Sequence, residues 1–159
     1  MFRPMRRAKK VIPDEAAKRL LQAERRGVLA VNGDLGYPYA VPVNFLYDEA
    51  AGKLYFHGAR AGHKADALRR DERVCFTVYG AKRVEPDEPW APYLQSAVVF
   101  GRCRLMEAGP EAEAALRRLA AKYYPDVETI EAELAHAGRA VQVFEITIEH
   151  LSGKQIQEK

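Results

Sequence analysis

Eight consecutive residues, His57-Gly58-Ala59-Arg60-Ala61-Gly62-His63-Lys64, concentrate the chemistry that this 159-residue chain offers. Two glycines let the backbone approach a ligand closely or take positive φ. If the segment leads from a strand into a helix, the first helical turn presents unpaired N–H groups and the positive end of its dipole, which suits an anion. Lys64, one residue into that helix, adds a full charge, and Arg60 offers another. A phosphate group fits such a turn on physical grounds. The plainer alternative, an ordinary left-handed turn carrying a solvated lysine, fits it too. The spacing matches neither the dinucleotide-binding glycine fingerprint nor the P-loop. His57 and His63 flank the turn as either packed residues or hydrogen-bonding groups beside a ligand, and a helix start biases His63 toward its neutral form.

A second set of candidates stands out because Asn and Ser are scarce. Asn32, Asn44, Ser96 and Ser152 are the only ones in the chain. In Pro42-Val43-Asn44-Phe45 the amide needs a partner or costs about 1–3 kcal/mol. Backbone at a bulge would satisfy it, and so would a heteroaromatic ligand laid along the strand. Gln95 and Ser96 in Tyr93-Leu94-Gln95-Ser96 raise the same question. Trp90, Tyr93 and Phe100 form either a stacking wall or ordinary core. The chain shows no Ser-His-Asp spacing, no metal-ligand spacing and no pair of acids in an apolar setting, so hydrolysis has no evident nucleophile and no metal site is expected. A bound cofactor that performs the chemistry accounts for a site without reactive groups of its own.

These candidates need elements to hold them. Residues 14–26 read as a helix with acids in its first turn, bases in its last and Gly27 at C′. Residues 28–32 form a strand, 33–36 a turn, and 37–48 a long strand buried in part on both faces. Pro38 and Pro42 cannot donate to a ladder and put that strand at an edge or beside a bulge. Lys53–His57 is a third strand, residues 63–70 a short helix, and Arg73–Tyr79 a fourth strand. Residues 81–93, with three prolines, form a loop. Leu94–Glu107 is a fifth strand, kinked at Gly101. Helices follow over 110–123 and 126–136, the second capped by Asp126. Residues 142–150 alternate as a sixth strand, with Val143 and Ile146 inward and Glu145 and Glu149 outward. Hairpins dominate and no strand–helix–strand alternation appears. The expected class is therefore α+β, an antiparallel barrel flanked by helices.

Composition sets the wider bounds. The length suits one domain over residues 1–159. The 25 basic and 22 acidic residues give only +3, too little to imply a nucleic-acid partner. The excess lies in a basic N-terminal arm, residues 1–12. No apolar run is long enough to span a membrane and no apolar segment follows the basic start, so the expected location is cytoplasmic. In that setting Cys75 and Cys103 are expected as free buried thiols.

The blocks GYPYAVPVNFLYD, LYFHGARAGHKADALRRDERVCFTVYG and YLQSAVVFGRCRLME, with EITIEHLSGKQ near the end, resemble the flavin-binding split-barrel superfamily that includes pyridoxamine 5'-phosphate oxidase. The similarity is greatest to its nitroimidazole-resistance (nitroimidazole reductase) branch. The resemblance implies a six-stranded split β-barrel and a homodimer with FMN at the interface. FAD, haem or a deazaflavin are alternatives, and the superfamily includes haem-binding and deazaflavin-using members. By position, the backbone of Ala59, Gly62 and His63 with Lys64 would hold the FMN phosphate. Pro42, Val43 and Asn44 would run along the ring edge, with His57 and Gly58 near the ring and ribityl chain. Gln95 and Ser96 would approach the phosphate or ribityl side, and Trp90 or Tyr93 the partner's flavin. His63 is the candidate catalytic side chain. The implied activity is transfer of electrons from NADH or NADPH to a small electrophile such as a nitroaromatic. Carriage or sensing of a flavin or haem without turnover is the other reading, with His57, His63, His136 or His150 as axial ligand.

Overall fold

A computed structural model describes residues 1–83, 90 and 93–157, so most of the expected 81–93 loop lies outside the described residues. In chain order the elements are β1 (Val11–Ile12), α1 (Asp14–Ala23), β2 (Arg26–Asn32), β3 (Pro38–Asn44), β4 (Leu46–Asp48), β5 (Lys53–Ala59), α2 (His63–Arg70), β6 (Arg73–Arg83), β7 (Tyr93–Leu105), α3 (Pro110–Ala121), α4 (Val127–Ala137) and β8 (Val141–Gln157). All pairings are antiparallel, in the order β3-β2-β6-β7-β8-β5-β4, with β1 added to β8. The sheet curls into a half-barrel until edge strand β3 lies beside β5 with no ladder between them. That unpaired seam is the split. No described helix is long and apolar enough to cross a membrane.

Eight strands replace the expected six, for two reasons. The residues before α1 add the short β1, which pairs Val11 with Lys154 and Ile12 with Gly153. The long strand expected over 37–48 breaks at Phe45, whose ring enters the core. There the Phe45 N–H donates to the Tyr123 hydroxyl (2.8 Å), and the Lys122 ammonium donates to the Phe45 carbonyl (3.0 Å) and the Glu24 carbonyl (2.5 Å). The Tyr123 hydroxyl in turn lies within donating distance of the Phe45 and Arg25 carbonyls. Side chains from the end of α3 thus replace a ladder and fix the bend between β3 and β4.

The half-barrel interior is filled by Leu29, Phe45, Phe56, Phe76, Val99, Phe144 and Ile146, closed by Leu20 and Leu21 of α1 and Ala65 and Leu68 of α2. A smaller core lies on the outer face of β5 and β8, where Tyr55 and Val143 meet Leu116 and Leu119 of α3. This second core corrects the expected outward Glu145. It shares a face with Val143, is only 2% exposed, and pairs with Arg104 (Nε to Oε1, 2.7 Å) and Lys53 (Nζ to Oε2, 3.0 Å). Those pairs outweigh its burial and keep its carboxyl below the ordinary value. Glu149 does stand outward, paired with Arg102.

Other boundaries shift for local reasons. α1 ends at Ala23, three residues early, because Gly27 is taken up in β2 against the ring of Phe76. β6 continues to Arg83, into the expected loop. The expected kink is present as a register shift between Phe100 and Gly101. Asp126 caps α4 by accepting from the Thr129 N–H at 2.7 Å. Cys75 and Cys103 are both free; Cys103 is buried, which pushes its thiol up to about 12, whereas Cys75 is only half-buried.

Candidate functional site

β5 delivers the chain to the turn before α2, and Gly62 ends that turn as the helix N-cap with φ 123° and ψ 172°. A side chain is strained in that conformation, which explains the glycine. No side chain caps α2, so its first amides are open to a ligand. Lys64 departs from the simple picture of a solvated lysine. Its ammonium turns inward over the rings of Phe56 and Phe144, 5.4 and 5.2 Å from their centroids. Gly58 makes the room, since a Cβ there would lie 2.8 Å from Lys64 Nζ. Burial lowers the Lys64 pKa. The ammonium has no anionic partner among the described residues. Arg60 is engaged elsewhere: its Nε donates to the Arg139 carbonyl at 2.9 Å.

His63 stacks on Tyr39 of β3, with ring centroids 4.1 Å apart. Its Nε2 faces Asp34 Oδ2 at 3.7 Å, and Arg70 holds the other oxygen of that carboxylate at 2.6 Å. The contact ties the start of α2 to the hairpin between β2 and β3, where Leu35 has φ 56° and stands 95% exposed. His57 is exposed by area, but its ring is hemmed in between strand and helices. That crowding first, and the Lys64 charge second, hold its imidazole below the ordinary value.

The structure gathers one part of the expected site and separates another. β3 and β5 meet across the split, where Asn44 and His57 line one cavity and Lys64 packs beside Gly58. Alternation divides their side chains. Val43 is buried in the core, leaving only its backbone to a ligand, while Pro42 and Asn44 are exposed. Asn44 is therefore not the buried amide expected from its apolar neighbours: β3 pairs only with β2, and its outer face is open. Gln95 and Ser96 lie on β7, beyond β2 and β6 from β3, and point to opposite faces. Gln95 donates to the Tyr93 hydroxyl at 2.9 Å, while Ser96 lies on the outer face opposite Tyr79 and Lys154. Tyr93 and Phe100 also lie on opposite faces, so those two rings do not form one wall; Phe100 stacks with Phe2, which also stacks on His150. Trp90 is exposed, at 66%.

Two concavities include residues of β3. One, of about 660 Å³, lies on the outer face and is lined by Arg26, Val28, Pro42, Thr77 and Tyr79 among others. The other, of about 280 Å³, lies between Asn44 and His57 on the strands and the hairpin of α3 and α4. The places of Asp34, Tyr39 and this hairpin at the site escaped the reading of the sequence, although both helices were expected. Asp34 sits in a Gly-Asp-Leu-Gly turn and Tyr39 in an alternating strand, and neither pattern reveals a contact with a residue more than twenty positions away.

The model of a family described as Pyridoxamine 5'-phosphate oxidase matches residues 13–155. No curated protein matches the chain. Several solved structures share its fold. A candidate 5-nitroimidazole antibiotic resistance protein from Bacteroides thetaiotaomicron superposes with TM-score 0.77 at 22% identity, covering 92% of this chain and 87% of that one. An FAD-binding protein from Mesorhizobium loti gives 0.63 at 22%, covering 92% and 96%. A flavocytochrome from Azotobacter vinelandii gives 0.71 at 21%, covering 95% and 71%. At these identities the likeness establishes the fold.

Proposed function

Because the chain belongs to the pyridoxamine 5'-phosphate oxidase family, we propose that it is an FMN-binding oxidoreductase that uses NADH or NADPH to reduce a small electrophile such as a nitroaromatic. The observation that carries this reading is the Lys64 ammonium, half-buried and without an anionic partner among the described residues, one residue into a helix that no side chain caps. The donor set fits a flavin phosphate: open backbone amides, a cation lacking its counter-charge, Gly58 where a side chain would meet Lys64, and Gly62 whose positive φ shapes the turn. When bound, FMN supplies the two-electron chemistry that no side chain here provides.

The chain's own residues would do the rest. The start of α2 and Lys64 hold the phosphate. The exposed backbone of Pro42–Asn44, on an edge strand with an open side, offers hydrogen bonds to the ring edge. His57, kept neutral by its surroundings at ordinary pH, gives a hydrogen bond without a charge. His63, oriented by Tyr39 and Asp34, is the proton donor of this reading. The reading includes a homodimer. Tyr79 (54% exposed) and Phe100 (39% exposed) leave apolar area on the outer sheet face, and Ser96 on that face would reach the site of the partner chain.

The test is reconstitution followed by turnover. Protein incubated with FMN should retain it through gel filtration, elute as a dimer and oxidise NADH or NADPH steadily once nitrobenzene is added. Failure to retain FMN overturns the reading, and a Soret band after haem addition would replace it with a haem binder. Retained FMN without nicotinamide oxidation would reduce it to flavin carriage.

A further inference from the structure

The hairpin of α3 and α4 closes on the sheet only in part, where α3 packs on Tyr55 and Val143. It leaves the cavity of about 280 Å³ next to the split. The volume lies just below the common range for ligand pockets, room for a single small ring system. A dinucleotide is far too large. The helix side is mostly apolar, formed by Leu116, Leu119, Ile130 and Leu134, with the rings of Tyr123 and Tyr124 where α3 gives way to α4. The strand side carries two uncharged hydrogen-bonding groups, the Asn44 amide and the His57 imidazole. Among the described residues Glu133 is the one carboxylate lining it, and it is exposed; no Lys or Arg side chain among them lines the cavity. An anion entering here would lose its hydration against leucines and meet a carboxylate.

We infer that this cavity seats the electron acceptor and selects an uncharged, planar aromatic molecule, its rings against α3 and α4 and its polar edge at Asn44 and His57. The accepting role rests on the flavin reading above; the binding selectivity does not. Asn44 and His57 belong to both the split and the cavity, so a molecule seated there adjoins the place assigned to the flavin ring. A dinucleotide donor would have to approach from another side.

Binding is tested apart from turnover, by saturation-transfer NMR and calorimetry on flavin-free and FMN-loaded protein, with nitrobenzene and 4-nitrobenzoate as probes. Nitrobenzene should bind, and 4-nitrobenzoate at least ~10-fold more weakly, the cost of a like charge at the site. Ala137→Trp fills the cavity from the end of α4. It should weaken nitrobenzene binding by ~10-fold or more, as overpacking a site does, with FMN affinity unchanged. Glu133 is exposed and its substitution leaves the core intact, so Glu133→Lys should narrow or reverse the preference between the probes. Equal binding of both probes to the wild-type protein, or unaltered nitrobenzene binding in Ala137→Trp, overturns the inference. A protein that refuses FMN yet binds nitrobenzene in this pattern would sink only the flavin reading.

Discussion

Lys64 makes a demand on the structure that can be turned into a measurement. Its ammonium is half-buried, packed over Phe56 and Phe144, and faces no anion among the described residues. Burial lowers its pKa, which means that its surroundings in this chain disfavour the charge. Lys64→Met keeps an unbranched apolar stem against the two rings and removes the charge. Two effects of opposite sign follow. The flavin-free protein should become more stable by about 0.5–2 kcal/mol, the usual gain when a functional but ill-solvated group is removed. For a chain of this size that raises Tm by ~2–4 °C per kcal/mol. FMN binding should weaken by about 1.5–3 kcal/mol, the range for hydrogen bonds to a charged group, or roughly 10–150-fold in Kd. Calorimetric melting of the flavin-free proteins gives the first quantity, and titration of FMN fluorescence gives the second. Riboflavin, which lacks the phosphate, should bind wild type and variant alike. Unchanged FMN affinity, or an equal loss for riboflavin, would refute the placement of the phosphate. A less stable variant would refute the unpaired cation.

Further outcomes bear on the elements that hold the site. The Lys122 ammonium, buried against the chain bend and near Arg25, has its pKa pushed down to about 8, against ~10.4 in an unfolded chain. Between those values the native state holds fewer protons than the unfolded state, so the penalty of this charge fades as pH rises through that window. Urea unfolding should therefore show wild type gaining on Lys122→Met between pH ~7 and ~10, and a constant difference would contradict the assignment. Glu145→Gln leaves Arg104 and Lys53 without their shared carboxylate. It should cost about 2–3 kcal/mol in chemical unfolding, below the value for wholly buried pairs because Arg104 is half exposed; no loss would mean that the cluster is not structural. His63→Ala should lower nitrobenzene turnover by ~10²-fold, the low end for a proton-donating group, while FMN is still retained. Full activity would remove His63 from the chemistry.

The local parts of the fold were legible in the sequence because they follow from local physics. Prolines at 38 and 42 exclude a central strand, and β3 is an edge. Asp126 stands where a cap belongs and makes its bond to Thr129. Gly58 and Gly62 announced the turn before α2, and both are needed there. What was not legible depends on partners far along the chain. Nothing near Phe45 signals that Tyr123 and Lys122 will take its backbone groups and split one strand into two. Nothing near Glu145 signals that α3 will bury the face on which it lies, so alternation assigned it to solvent. Asn44 shows the reverse error: apolar neighbours suggested burial, but an edge strand keeps one face open. For the candidate site, the residues clustered along β3, β5 and α2 were found from type and spacing together with the family resemblance. Gln95 and Ser96 are separated from β3 by two strands and lie on opposite faces, so one chain does not bring both side chains to one ligand.

Flavin occupancy tests the central claim most directly. Purified protein should show the visible absorption bands of a flavin, or acquire them on addition of FMN, in saturable fashion and at equal molar amounts of FMN and chain. A colourless protein whose addition leaves FMN fluorescence unquenched at every concentration would contradict the account.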